Sequence, residues 1–204
     1  MTDTTTTTTD ATTSAVTTTT GERATLIESL ARHRGFLLHT AEGLTEEQAR
    51  TASTVSALTI ASLLKHVADT EEQWFAFAVQ GAAAFGNTEV YDGSVDWSAV
   101  DEEAAQNDGN WSDSEWVDER FVLSDDETLP VLRARVADVA AKTDEVLRTA
   151  DLDLAHPLPE APWFEPGVAW SVRRVALHML AEISQHAGHA DIVREAIDGQ
   201  KTMG

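Results

Sequence analysis

The 204-residue chain contains no cysteine. Disulfides, thiolate metal ligands and a protein-borne thiol nucleophile are therefore excluded. Basic residues are also scarce: 14 Lys and Arg stand against 35 Asp and Glu, a formal net charge of -21. A surface this acidic repels nucleic acid and anionic membranes, which argues against both as partners. No apolar run approaches the roughly 20 residues that a membrane-spanning helix needs. The N-terminus has neither a basic start nor a hydrophobic stretch, so no signal peptide is expected and a cytoplasmic location is. Three catalytic patterns are missing as well: a Gly-rich phosphate loop, a G-x-S-x-G elbow and an H-E-x-x-H helix.

What remains is the composition of one packed domain. Hydrophobic residues make up 42% of the chain, with six Trp and six Phe, which suffices for a core at this length. Residues 1–20 are mostly Thr, with little to bury. They cannot offset their ordering entropy and are expected to be a disordered tail outside a single domain spanning 21–204.

Helical spacing dominates the rest. Leu26, Ile27, Leu30, Phe36 or Leu37, and Leu38 recur at threes and fours and predict a helix from Arg23 to Glu42, closed by Gly43. Thr45 and Gln48 have the spacing of a capping box, hence a short helical turn. A second long helix is predicted from about Thr59 to Ala84, with Ile60, Leu63, Leu64, Val67, Trp74, Phe75, Phe77 and Ala78 inward. Residues 86–127 break the pattern with fourteen acidic residues against one basic residue, Arg120, and with Trp97, Trp111, Trp116 and Phe121 interleaved. This long acidic connection reads as a solvated link pinned by its aromatics, or as a wall of the substrate site. A third helix is predicted from Asp126 to Thr149, with Pro130 in its first turn. A loop with Pro157, Pro159, Pro162 and Pro166 follows, then a fourth helix running to Asp198 and closed by Gly199. Four helices and no convincing strand predict an all-α four-helix bundle.

The fourth helix carries the chemistry. At 100 degrees per residue, His178, Glu182, His186 and His189 share one face. His178 and His186 are about 12 Å apart along the axis, so one ion can take only an adjacent pair: His178/Glu182, Glu182/His186 or His186/His189. Spacing alone does not choose among them. A third ligand must come from another helix, and His66, preceded by Leu63 and Leu64 and followed by Val67, faces inward. A His/Glu/His set leaves a coordination position open, as catalytic zinc sites do. Asp69 and Glu71 are expected in water, and His33, His39 and His156 have no expected role. Of the arginines, Arg173, Arg174 and Arg194 stand out. One lying beside the metal face could clamp a carboxylate substrate with its planar fork.

The segments LKHVADTEEQWF (64–75) and WSVRRVALHMLAEISQHAGHADIVRE (170–195) together resemble the DinB-like superfamily of metal-binding four-helix bundles. The E-x-x-x-H-x-G-H-x-D form is similar to its actinobacterial branch, which includes mycothiol-dependent maleylpyruvate isomerases and mycothiol S-transferases. The resemblance implies a divalent metal, expected to be zinc, on His66, Glu182 and His186. It leaves His178 and His189 as pocket residues beside the ligands; these two, and Arg173 and Arg174 from their place on the helix, are the substrate-binding candidates. It further implies a transferase or isomerase in which a low-molecular-weight thiol such as mycothiol attacks a small electrophile. The lack of cysteine fits a nucleophile that arrives as cosubstrate. A metal-dependent hydrolase and a metal-binding stress protein without turnover are the competing readings, and the exposed bundle faces leave room for a homodimer.

Overall fold

Helix α1, Glu22–His39, turns Leu26, Leu30 and Leu37 into the interior. A computed structural model describes residues 20–85, 119–159, 164 and 166–202. The expected Thr-rich tail and most of the acidic connection lie outside the described residues. Helix α1 stops short of the predicted Glu42. Thr40 caps it, and Gly43, at φ 74°, sits in the turn that follows.

The short helix α2, Glu46–Ala49, opens with the capping box read from the sequence: Gln48 N–H donates to Thr45 Oγ1 at 3.2 Å and Thr45 N–H to Gln48 Oε1 at 3.0 Å. Helix α3, Ile60–Gln80, starts with a second reciprocal box between Thr59 and Ser62. All eight of its predicted apolar positions are buried. The predicted extension to Ala84 is not α-helical. Gly81 adopts φ 74°, and residues Gly81–Phe85 continue as a 3-10 turn. A Cβ at Gly81 would lie 3.0 Å from His156 Nδ1, so only glycine fits there without displacing the histidine.

Helix α4, Leu129–Thr149, begins three residues later than predicted, with Thr128 as N-cap and Pro130 in the first turn. Asp126 turns instead to the hydroxyl of Ser124. The proline-bearing loop holds a strand pair that the sequence did not suggest. Strands β1, Ala155–Pro157, and β2, Ala169–Ser171, pair antiparallel, with His156 opposite Trp170. Three residues are too few to show a period of two, and a proline within the run argues against a strand. Helix α5, Val172–Asp198, follows β2 directly. Ser171 caps its start, and Gly199 at φ 80° ends it in a left-handed turn.

The long helices α1, α3, α4 and α5 form an all-α bundle, with α3 packed on both α4 and α5 and α1 on α5. Ring contacts pair His66 with His186 and Trp74 with His178. As α3 advances by eight residues α5 recedes by eight, so the two run antiparallel. Glu71 departs from its expected place in water: it is buried on α3 and meets Arg34 of α1 at 2.5 Å. Among the described residues no helix is long and apolar enough to cross a membrane.

Candidate metal centre

The antiparallel crossing of α3 and α5 sets the site. His66 looks out from the buried face of α3 and is 5% exposed; His186, on α5, is 9% exposed. The spacing of four places Glu182 one turn before His186, and its Oε2 lies 3.6 Å from His186 Nε2. The imidazoles of His66 and His186 meet edge to face, with centroids 4.7 Å apart. One donor atom from each of His66, Glu182 and His186 falls within 4.8 Å of the others. Two ligands bound tetrahedrally to zinc at about 2.1 Å stand about 3.4 Å apart, so small side-chain shifts bring all three donors into range.

Charge and burial suit a divalent ion. Burial lowers the His186 pKa from its ordinary value, opposed by Glu182 and reinforced by His189 and Arg120. The neutral imidazole is the form that ligates. His186 Nε2 is the nitrogen that faces Glu182, and the other ring nitrogen, Nδ1, is buried without a hydrogen-bond partner. The donor set, two imidazoles and a carboxylate, fits zinc or a similar borderline metal.

Of the three adjacent pairs on α5, Glu182/His186 is the one that a third donor joins among the described residues. The other candidates flank it. His178 lies one turn toward the start of α5, edge-on to Trp74 at 4.8 Å and Trp170 at 5.0 Å. The two indoles stack at 4.9 Å, and the Arg174 guanidinium lies 4.5 Å from the Trp170 ring. Burial lowers the His178 pKa as well, against the pull of Glu182 and with a contribution from Arg174. His189 sits on the other side of His186, at 5.5 Å between rings, with its Nδ1 buried and unpartnered.

Two arginines are engaged elsewhere. Arg173 holds Glu22 at 2.5 Å and also Asp153. Arg194 is buried and donates to the carbonyls of Thr40 and Glu42 at 2.8 and 2.7 Å, tying α5 to the turn after α1.

Phe121 lies against the candidate ligands, and although the acidic connection that carries it was one candidate for a wall of the substrate site, nothing in the sequence singled out this ring. Its ring stacks on His66 at 4.3 Å with planes 25° apart, and lies 6.2 Å from His186. It stood out only as one aromatic in an acidic stretch. Its contact with His66 spans 55 positions of sequence, and no local pattern encodes such a contact.

A family model described as mycothiol-S-transferase matches residues 25–199, a span that includes the four long helices from Thr25 onward and all three candidate ligands. No curated protein matches the chain.

Proposed function

The chain belongs to the mycothiol S-transferase family, and on that premise we propose that it is a metal-dependent thiol transferase joining a low-molecular-weight thiol of the mycothiol type to a small electrophile. The observation that carries this reading is the convergence of His66, Glu182 and His186 from two antiparallel helices. These three residues would hold the ion, expected to be zinc, and leave a coordination position for an exogenous group. A divalent ion bound there supplies the positive charge that favours thiolate over thiol at neutral pH.

The chain's own residues supply the rest. The bundle interior buries the imidazoles of His66 and His186, and that burial lowers the pKa of His186. His178 and His189 flank the three ligands along α5 and are the residues proposed to contact the two substrates. Arg174 is exposed beside Trp170, where an anionic substrate group can reach its guanidinium. A substrate role for Arg173 requires giving up Glu22 and Asp153. In the reaction the thiol loses its proton, a carbon–sulfur bond forms, and the leaving group of the electrophile departs. A cytoplasmic setting, where small thiols stay reduced, suits this chemistry.

The test is direct. Zinc-loaded protein incubated with mycothiol and monochlorobimane should release the fluorescent conjugate, and prior chelation should abolish that rate. Conjugation no faster than in buffer, with zinc bound, would remove the thiol-transfer reading.

A further inference from the structure

Phe121 is not a ligand, yet it covers one face of a ligand. The lone pairs of an imidazole lie in the plane of its ring. A ring stacked on that plane therefore blocks rotation and water while leaving the nitrogen edges free. Phe121 is stacked in this way on His66, at 4.3 Å and 25°. His66 is almost fully buried although it belongs to a polar cluster, and Phe121 itself is partly buried against the core.

The segment that presents Phe121 is anchored. Val122 N–H donates to the Glu119 carbonyl at 3.2 Å and closes the turn Glu119–Phe121. Just beyond it, Arg50 Nη2 donates to the carbonyls of Ser124 and Glu127 at 2.9 and 3.0 Å. Leu129 N–H donates to Glu46 Oε2 at 2.8 Å. The stretch from Ser124 to Leu129 is thus tied to α2 and its C-cap by charged side chains. That holds the aromatic ring in place from outside the bundle.

We propose that Phe121 is a positioning residue for His66: it fixes the imidazole so that its nitrogen points toward Glu182 and His186, and it shields the covered face of the ring from water. This rests on the metal-site reading above. Groups that orient metal ligands from behind are commonly worth 10- to 100-fold in affinity, and a single ring contact belongs at the lower end, about tenfold.

The experiment measures zinc affinity by competition with a chromophoric chelator, and zinc release by stopped-flow mixing with excess chelator. The proteins are wild type, Phe121→Ala, Phe121→Leu and Phe121→Tyr, each checked by its thermal melt in the metal-free state. The expected result is an affinity about tenfold weaker and a faster release for Phe121→Ala. Phe121→Tyr, which keeps the flat face, should stay close to wild type. Phe121→Leu keeps the apolar bulk without the flat face, and should fall with Phe121→Ala even if the alanine variant folds poorly. Wild-type affinity and release in Phe121→Leu, or a loss in Phe121→Tyr equal to that in Phe121→Leu, would overturn the proposal while leaving the metal site standing. Absence of zinc binding by wild type would overturn both, and would do so before any variant is compared.

Discussion

Arg34 of α1 and Glu71 of α3 meet as a two-pronged ion pair, Nε to Oε2 at 3.0 Å and Nη2 to Oε1 at 2.5 Å, with side chains only 4% and 1% exposed. Asp144 of α4 approaches the same guanidinium at 3.8 Å. Three helices are thereby joined five residues beyond His66 along α3. Removing one partner leaves the other charge buried and uncompensated, so Glu71→Ala should cost about 3 kcal/mol in urea denaturation. Replacing both, Arg34→Met with Glu71→Leu, should recover most of that loss. A single-variant cost below about 1 kcal/mol would show the pair to be incidental.

Arg194 makes a second cross-link, from α5 to the carbonyls of Thr40 and Glu42. Thr40 is buried, so losing the donor leaves its carbonyl unsatisfied. Arg194→Ala should destabilise the protein by about 2 kcal/mol. Because the site lies elsewhere on α5, zinc affinity should be unchanged at temperatures where the variant is folded. A clear loss of affinity in folded Arg194→Ala would contradict that separation.

Stability of the metal-free protein should fall on mild acidification. Burial holds the His178 imidazole below its ordinary pKa of 6.5, with Glu182 opposing and Arg174 assisting, where the ring lies edge-on to both Trp74 and Trp170. As pH drops through the unfolded value, the unfolded chain takes up a proton that the folded chain resists. The contribution is complete above the unfolded pKa and is lost as pH falls toward the folded one. His186 shifts in the same direction. Urea denaturation at about pH 7.5 and about pH 5.5 should show this loss, and His178→Gln should reduce it. An equal loss in the variant would assign the effect to other groups.

The helices were legible because each long one repeats its apolar residues at threes and fours and starts or ends on a capping residue. Thr59 and Gly199 both occupy the boundary that their chemistry favours. Residue type could not fix the last turn of α3, because Gly81 interrupts a helix whose apolar pattern runs on through Ala84. Along α5, spacing brought four ionisable residues to one face but could not rank their pairs. The antiparallel crossing that delivers His66 is a property of the packed bundle, not of either segment. Glu71 was misplaced for the same reason: a glutamate on a helix reads as solvated until an arginine 37 residues away is folded against it. Phe121 and the β1–β2 pair are likewise products of chain return, in stretches too short to show a period.

The central claim is that one divalent ion sits between α3 and α5 on His66, Glu182 and His186. The most direct measurement is anomalous diffraction above the zinc absorption edge, from crystals grown with one equivalent of zinc. The account predicts a single strong peak about 2.1 Å from a nitrogen of each histidine and an oxygen of Glu182, and its absence from Glu182→Ala crystals. No peak there, or a peak on His186 and His189 that survives Glu182→Ala, would contradict it.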